Sequence, residues 1–246
     1  MNRPNTRELT VIKSAHVTPH LFRVTLGGEN IKSLPAGQES SHIKLIFPQE
    51  TQRPIMRTYT IRHQRLDEID IDFVLHENPG PASTWAQNVK PNEPILIAGP
   101  GPTKKIYTES DWYLLIGDMT ALPAISVNLE TLPENATGYA IIEVLSEEDI
   151  QTIAHPVGME IKWIINPHPG ENAETLLEQV KALTWYPGTV SVWAACEFSS
   201  MKQLRSFFKN DKGVDRDRLY IASYWKLGNN EDQHKAHKRM DSVNAV

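Results

Sequence analysis

The sequence predicts two domains, a small antiparallel β-barrel followed by a parallel α/β domain. The chain has 246 residues, 40% of them hydrophobic, which is enough to build one or two packed domains. Short runs rich in Val, Ile, Thr and aromatic residues fill the first hundred positions, whereas strand and helix patterns alternate beyond residues 99–102. We therefore predict domains at residues 1–103 and 104–228, followed by a polar tail or terminal helix at 229–246.

Six strands are predicted in the first domain, because closing six short strands into a barrel leaves no exposed edge. They cover residues 10–14, 21–26, 42–47, 58–62, 69–75 and 93–98. Clusters of Gly, Pro, Asn and Asp separate these strands. One helix is predicted at 81–89, where Pro81 suits the first helical turn.

The second domain alternates strands with helices, and this alternation predicts a parallel sheet covered by helices. The predicted strands cover residues 112–116, 139–145, 161–165, 189–194 and 219–222, and the helices cover 120–132, 172–183 and 200–210. In the helix at 172–183, the apolar residues recur on one face.

Composition argues against several classes of protein. A net charge of −5 has the wrong sign for coating nucleic acid. The longest apolar runs, at 95–98 and 114–116, fall far short of the ~20 residues of a membrane span. The N-terminal residues lack the pattern of a secretory signal, and the single cysteine, Cys196, excludes an internal disulfide. We expect a cytoplasmic monomer that binds neither nucleic acid nor membrane stably.

The most specific local pattern is RTYTIR at residues 57–62. In a strand, side chains alternate between two faces, so Arg57 and Tyr59 share one face with Ile61, and Thr60 and Arg62 share the other. This pattern is compatible with an ordinary hairpin strand that has a solvated basic edge. It also puts an aromatic ring, a hydroxyl group and two guanidinium groups along a single strand.

A second pattern follows the next predicted strand, which ends at His76 and leads into GPASTWA at residues 80–86. This segment predicts a helix that begins directly after a glycine. The first amides of a helix have no partner within it, so the helix start can bind an anion such as a diphosphate.

Together, the two segments resemble the flavin domain of the siderophore-interacting protein family, within the ferredoxin–NADP reductase superfamily. That domain carries R-x-Y-T-x-R and a downstream H…G-P-A-S-x-W-A. The resemblance implies a Greek-key barrel that binds FAD through Arg57, Tyr59, Thr60, Arg62, His76, Pro81, Ala82 and Ser83. Tyr59 would lie against the isoalloxazine ring, with Thr60 near its N5 edge. The sequence departs from the family at residues 77–78, where a glycine often follows the histidine.

The second domain continues the resemblance. GDMTALPAI at residues 117–125 is similar to the family's G-D-x-T-A-L-P-A-I turn, which implies that Thr120 and Ala121 lie beside the nicotinamide of NADH or NADPH. The G-x-G-x-x-G fingerprint is absent from this turn. WAACE at 193–197 matches W-A-A-G-E except that Cys196 replaces glycine. Cys196 is either a small buried residue or one that affects hydride access.

The last motif, YWKLG at residues 224–228, matches the family's Y-W-x-x-G. Basic residues follow it within a chain of negative net charge, so either a solvated tail or a rim that attracts an anionic iron chelate is predicted. The resemblance implies that Lys44 and Lys226 bind this substrate. His234 and His237 lie three residues apart, and we expect no metal site there.

The resemblance covers about residues 8–228 and implies a ferric-siderophore reductase. A reduced nicotinamide donates two electrons as a hydride, whereas Fe(III) accepts one electron. A flavin can accept the pair and pass the electrons on one at a time. Ferredoxin is an alternative donor, and the product is Fe(II) for use in the cytoplasm. We expect no residue to act as a general acid or base. The alternatives are a general NAD(P)H:flavin or ferredoxin reductase and a non-catalytic ferric-chelate-binding protein.

Overall fold

A computed structural model describes residues 6–49, 53–76 and 79–244, with side chains up to residue 241. The chain divides into two compact units. The first runs to Lys104 and also takes in Ser126–Asn128, and the remainder forms the second. The first unit is a closed antiparallel barrel and the second is built on a parallel sheet, which confirms the predicted fold class.

Within the described ranges, the barrel contains six strands and one α-helix. They are β1 (Thr6–Thr18), β2 (Leu21–Gly27), β3 (His42–Phe47), β4 (Ile55–Gln64), β5 (Glu68–Val74), α1 (Pro81–Asn88) and β6 (Pro94–Ala98). Their order around the barrel is β1-β2-β5-β4-β3-β6, a Greek-key arrangement in which β2 lies beside β5. β1 is longer than predicted because it pairs with β6 through its first half and with β2 through most of its length.

The core of the barrel is aliphatic and aromatic. Val24, Ile43, Leu45, Ile71 and Phe73 are all fully buried in it and come from three of the six strands. Because strand residues alternate between the two faces, residues two positions away from these on the same strand also point inward, as do the residues paired with them on the adjacent strands.

The second unit contains a five-stranded sheet and four helices. They are β7 (Trp112–Gly117), α2 (Leu122–Thr131), β8 (Thr137–Val144), β9 (Gly158–Ile165), α3 (Thr175–Lys181), β10 (Val190–Glu197), α4 (Phe198–Ser206), β11 (Leu219–Trp225) and α5 (Glu231–Asn244). The sheet order is β11-β10-β7-β8-β9, and every pair is parallel. All five strands therefore end at the same edge, where ligands bind in open α/β sheets.

Two elements differ in extent from the predicted helices. α3 is shorter than residues 172–183, because Asn172 Oδ1 accepts a hydrogen bond from the amide of Glu174 (3.0 Å) and stabilises a turn there. α4 is followed directly by a π-helical turn at Phe207–Asp211.

The residues expected to form a tail or terminal helix include α5, which packs on β11 and α4. His234 contacts Ser223 Oγ through Nε2 (2.8 Å), and Lys238 Nζ donates to the carbonyl of Ser223 (3.0 Å). Arg205 on α4 forms a bidentate pair with Asp241 (2.6 and 2.7 Å). Across the described ranges, no helix combines the length and apolarity that crossing a bilayer requires.

Candidate functional site

In the barrel unit, β4 carries the aromatic and basic residues that the sequence singled out. Arg57 pairs with Leu45 and Tyr59 pairs with Ile43 across the β3–β4 ladder. Directly paired side chains lie on the same face of a sheet, and Leu45 and Ile43 are fully buried. Arg57 and Tyr59 therefore lie on the inward face, where both remain half-buried.

The ring of Tyr59 is held by an aromatic contact with the core. Its centroid lies 4.4 Å from that of Phe73, with the rings inclined at 40°. Phe73 in turn lies 5.9 Å from Trp85, which belongs to α1. One side of Tyr59 is thus supported by the barrel, and the helix is linked to the same group of rings.

Lys44 and Thr60 lie on the opposite, outward face of these strands. Thr60 pairs with His42, and Lys44 pairs with Thr58 on one side and Ala98 on the other. Arg62 occupies a register shift between β4 and β5, and it is only 9% exposed. This bulge ends the simple alternation predicted for the strand.

The start of α1 provides backbone donors. The first bond within the helix runs from the amide of Thr84 to the carbonyl of Gly80 (2.9 Å), so the amides of Ala82 and Ser83 precede the helical ladder. No side chain caps this end, and a Cβ atom on Gly80 would meet nothing within 4 Å. His76 is exposed on the preceding segment, whereas Glu77 and Asn78 lie outside the described residues.

These donors fit FAD. A supported aromatic ring suits a flat isoalloxazine, and a guanidinium group with uncapped amides suits a diphosphate. The fit is chemical: each class of group that the cofactor needs is present in the barrel unit.

A charged cluster on the barrel was not predicted from the sequence. Asp70 receives hydrogen bonds from Arg65 (2.7 and 2.9 Å), Thr25 (2.8 Å) and His63 (3.0 Å). Burial opposes ionisation of Asp70, but these hydrogen bonds outweigh it and hold the pKa of its carboxyl well below the ordinary value. The cluster joins residues of β2, β4 and β5 and of the turn after β4, which no local sequence pattern connects.

In the parallel-sheet unit, the turn after β7 is organised by Asp118. Its Oδ1 accepts from the amide of Thr120 (2.9 Å) and from the Thr120 hydroxyl (2.5 Å), and its Oδ2 accepts from Trp225 Nε1 (2.7 Å). A Cβ atom on Gly117 would lie 2.6 Å from the carbonyl oxygen of Ala195, so only glycine fits there. Thr120 is half-buried, whereas Ala121 is fully buried.

Asp118 belongs to a row of polar side chains along the carboxyl edge of the sheet. Ser223 pairs with Cys196, and the pairing of Gly117 with its neighbours on β8 and β10 puts Asp118 between Glu143 and Cys196. All four side chains are buried. The sequence motifs included Asp118 without a role and Cys196 with two alternative roles, and no motif included Glu143.

Burial changes the acidity of this row. It raises the pKa of Asp118, although hydrogen bonds from Thr120 and Trp225 act against the rise. Burial raises the pKa of Glu143 to about 7, a hydrogen bond with Asn166 opposes this, and the charge of Asp118 adds to it. Burial also raises the pKa of the Cys196 thiol, as do the nearby carboxylates, so this thiol is a poor nucleophile.

Glu197 connects this edge to the segment that carries Lys226. Its side chain caps α4 by accepting from the amides of Ser199 and Ser200, and its Oε1 accepts from the amide of Leu227 (3.2 Å). The ammonium group of Lys226 lies 4.5 Å from the centroid of the Phe198 ring. Within the described ranges, no group of three His, Cys, Asp or Glu side chains is arranged to hold a metal.

The architecture defines the class of protein. A closed Greek-key barrel followed by a parallel α/β unit is a two-domain fold that the solved structure of ferredoxin–NADP+ reductase from Plasmodium falciparum shares, with a TM-score of 0.64 and 14% identity, covering 89% of this chain and 97% of that one. The sequence model for the siderophore-interacting FAD-binding domain matches residues 10–53 and 48–104 of this chain. The model for the siderophore-interacting protein matches residues 110–228. The chain belongs to the siderophore-interacting protein family.

Individual relatives agree with this assignment. The chain is 33% identical over 250 residues to the ferric vibriobactin reductase ViuB of Vibrio cholerae, covering 93% of this chain and 92% of that one. It is 27% identical to the NADPH-dependent ferric-chelate reductase of Escherichia coli, covering 89% and 92%. The solved structure of the siderophore-interacting protein SipS from Aeromonas hydrophila matches with a TM-score of 0.85 and 35% identity, covering 96% and 98%.

Proposed function

We propose that the chain is an FAD-dependent ferric-siderophore reductase. The observation that supports this most directly is the ring of Tyr59, half-buried on β4, supported from below by Phe73 and accompanied by Arg57 on the same face. Family membership and the names of the relatives, which include a ferric vibriobactin reductase and a ferric-chelate reductase, support the same reaction.

In this proposal the barrel residues hold the cofactor. Tyr59 stacks on the ring system, Thr60 lies near its N5 edge, and Arg57 and Arg62 contact the ring and the diphosphate. The diphosphate and ribityl side is held by His76, Pro81, Ala82 and Ser83. Because the side chains of Ala82 and Ser83 are buried, their contribution is the backbone amides at the start of α1.

When bound, FAD supplies the step between a two-electron donor and Fe(III), which accepts one electron. The chain's own residues bind and orient. Oxygen ligands hold Fe(II) more weakly than Fe(III), so reduction releases the iron, which we propose is used in the cytoplasm. No proton transfer by a side chain is required, and no general acid or base is assigned.

We propose NADH or NADPH as the electron donor, bound at the carboxyl edge of the parallel sheet near Thr120 and Ala121. The position agrees with the rule for ligand binding in open α/β sheets. The E. coli relative is named for NADPH, which supports that donor. Ferredoxin is the alternative donor, and Lys44 and Lys226 are proposed to bind the ferric siderophore.

Cofactor binding is tested by titrating the purified apoprotein with FAD and following flavin fluorescence. Replacing Tyr59 with alanine removes the stacking surface, and we expect the dissociation constant to rise about tenfold, since an aromatic contact contributes about 0.5 to 1.5 kcal/mol beyond its buried area. Tyr59→Phe retains the ring and should bind nearly as the parent does. Tyr107→Ala, which changes an exposed tyrosine of the other unit, is the control.

Activity is tested by mixing the FAD-loaded protein with NADH, NADPH or reduced ferredoxin in parallel, and then with a ferric siderophore. The proposal is supported if the parent protein reduces the chelate. In Lys44→Ala and Lys226→Ala, reduction of the chelate should be lost while the flavin stays bound. Reduction of flavin without a response to these lysines indicates a general flavin reductase. A colourless protein that FAD does not reconstitute indicates a ferric-chelate-binding protein instead.

A further inference from the structure

Strand β8 is joined to β7 through α2 and pairs with it in parallel, so the three elements form a βαβ unit. In sheets of this kind that bind a dinucleotide, the diphosphate lies at the turn after the first strand. An acidic residue further along accepts a hydrogen bond from the adenosine ribose in NAD sites, whereas an arginine accommodates the 2′-phosphate in NADP sites. The side chains at the carboxyl end of β8, the second strand, therefore bear on the choice between NADH and NADPH.

The segment that follows β8 is acidic and is held by hydrogen bonds. Residues 147–149 are Glu-Glu-Asp and form one 3-10 helical turn. Glu147 and Glu148 are exposed, whereas Asp149 is fully buried. Oδ2 of Asp149 accepts from the amide and from the hydroxyl of Ser146, each at 3.1 Å. A carboxylate already uses the donors of Ser146, and the side chains that the turn exposes to a ligand are acids.

The sequence around this turn contains few cations that could balance a phosphate. Residues 106–161, which include β7, α2 and β8, contain ten aspartates and glutamates and neither lysine nor arginine. Lys162, the next basic residue, pairs with Glu160 (3.6 Å). In the sheet, β7 and β9 are the neighbours of β8, and none of the loops that follow these three strands contains a lysine or an arginine.

The basic residues of this unit are concentrated at the other side of the sheet. Residues 198–246 contain ten lysines and arginines against six aspartates and glutamates. This stretch includes α4, β11 and α5, and β11 is separated from β8 by two other strands. Charge in the second unit is therefore divided, with the acids gathered where the adenosine half of a dinucleotide is expected.

Two buried groups give separate evidence of a negative potential at this edge. Glu143 lies one residue before the end of β8 and is 6% exposed. Burial raises its pKa to about 7 and a hydrogen bond with Asn166 opposes the rise, while the charge of Asp118 adds to it. Burial raises the pKa of the Cys196 thiol, and the charges of Asp118, Glu143 and Glu197 add to that rise. The charges that act on both groups are negative.

NADH and NADPH differ by one group on the adenosine ribose. NADH has a 2′-hydroxyl, which can donate a hydrogen bond to a carboxylate, and such charge-assisted bonds are strong. NADPH has a phosphate there, which carries about 1.5 to 2 negative charges at pH 7. An exposed carboxylate at this position therefore attracts one donor and repels the other, and both effects contribute to specificity.

We propose that the turn after β8 selects NADH over NADPH, with Glu147 and Glu148 accepting from the ribose hydroxyls of NADH and repelling the 2′-phosphate of NADPH. This inference rests on the proposed function, in which a nicotinamide dinucleotide is the electron donor, and it chooses between the two nucleotides. The E. coli relative is named for NADPH, so this chain and that relative are expected to differ in their donor.

Binding is measured first, without turnover. The oxidised, FAD-loaded protein is titrated by calorimetry with 5′-AMP and with 2′,5′-ADP, which are the adenosine halves of NADH and NADPH. We expect 5′-AMP to bind at least about tenfold more tightly, because placing like charges together is costly. High salt should reduce this ratio, since Glu147 and Glu148 are exposed and their charges are screened.

Single replacements then identify the residues. Glu147→Gln and Glu148→Gln, made separately, should each weaken binding of 5′-AMP about fivefold, because a charged acceptor is lost, and should leave binding of 2′,5′-ADP unchanged or tighter. Glu134→Gln is the charge-matched control, since Glu134 is exposed in the loop that precedes β8, at the opposite edge of the sheet. It should change neither affinity by more than about twofold.

Kinetics test the same choice in the working protein. The parent should reduce its flavin with a kcat/KM for NADH at least about tenfold above that for NADPH. Glu148→Arg supplies a guanidinium group that suits a phosphate, and it should raise kcat/KM for NADPH about tenfold while lowering that for NADH. The rate at which reduced flavin passes electrons to a ferric siderophore should stay within about twofold in every variant, because the exchanged side chains act on the nucleotide alone.

Three results would overturn the inference while leaving a nicotinamide-dependent reductase intact. They are equal affinities for 5′-AMP and 2′,5′-ADP, tighter binding of 2′,5′-ADP, and equal effects of Glu148→Gln and Glu134→Gln. Reduction of the flavin by reduced ferredoxin alone would overturn both the inference and the proposed nicotinamide donor. If the parent protein reduces no ferric siderophore with any donor, the proposed function is wrong, whereas the nucleotide titrations still decide the inference.

Discussion

The two units of the molecule bury carboxyl groups in opposite electrostatic surroundings. In the barrel, Asp70 and Asp72 are 4% and 6% exposed, and they pair with Arg65 and Arg23. In the parallel sheet, Asp118 and Glu143 are buried to the same extent, yet none of the ion pairs formed by the described residues includes them. Their pKa values are raised, whereas that of Asp70 is lowered.

The difference separates two uses of a buried acid. An acid matched by a guanidinium group connects strands and contributes to keeping the barrel intact. An acid left without a cation reduces stability at neutral pH, and its position at the carboxyl edge of the sheet coincides with the place where a ligand is expected. The following changes test whether this distinction holds, from the largest expected effect to the smallest.

Replacing Asp70 with alanine should have the largest effect. The change removes the acceptor of four hydrogen bonds, one of them from the buried hydroxyl of Thr25, and each buried donor left unsatisfied costs about 1 to 3 kcal/mol. Denaturant unfolding measures the loss. Glu68→Ala removes the more exposed partner of the same arginine (2.5 Å) and should cost about 1 kcal/mol or less. Equal losses of unfolding free energy in Asp70→Ala and Glu68→Ala would contradict a special stabilising role for the buried acid.

Glu143→Gln should stabilise the protein above pH 7. The folded state favours the neutral acid, with a pKa of about 7 against an ordinary value of 4.5. Stability therefore falls as pH rises from the unfolded value towards 7 and stays low above it. Glutamine removes this dependence, so the gain should be about 3 kcal/mol at pH 8 and below about 1 kcal/mol at pH 5. A gain that is the same at both pH values would contradict the assignment.

Trp225→Phe should cost about 1 to 3 kcal/mol, because it removes one of the hydrogen bonds to the buried carboxyl group of Asp118. Unfolding at pH 7 measures this cost. Trp163→Phe, on β9, is the matched control, because it removes an indole outside the hydrogen-bond network of Asp118. We also expect the cost of Trp225→Phe to shrink at low pH, where Asp118 is protonated in both variants.

The smallest effect concerns Cys196. Its pKa is raised by burial and by neighbouring carboxylates, so the thiol should react negligibly with an aromatic disulfide reagent at pH 8 in the folded protein. One equivalent should react after unfolding, since the chain has a single cysteine. Rapid reaction in the folded state would indicate that this edge of the sheet is open.

Most of the fold could be predicted because its signals are local. The strands of the barrel have β-rich runs bounded by turn residues, and the alternation of strands and helices beyond residue 104 indicates a parallel sheet. The ends of elements were harder to predict. β1 is longer than its hydrophobic run because it gains partners on two sides, and α5 is held by contacts such as that between Arg205 and Asp241, 36 residues apart.

The residues of the candidate site could be predicted from local motifs, but the contacts between distant residues could not. Period-two alternation correctly put Arg57 and Tyr59 on the face that includes Ile61, but the register shift at Arg62 depends on pairing with β5. The contact between Asp118 and Trp225 joins residues 107 positions apart, and Glu143 lies in a run that reads as an ordinary strand. The ligand-binding roles of Arg57, Tyr59 and the other residues of the sequence motifs stay predictions.

The contact of Phe73 with both Tyr59 and Trp85 couples the surface of the barrel to its interior. Phe73 has no exposed surface, so the tilt of the Tyr59 ring is determined by how tightly the core packs beneath it. A destabilising change deep in the barrel therefore alters the platform offered to a planar ligand before the unit unfolds. Release of such a ligand on heating would serve as an early sensor of loosened packing.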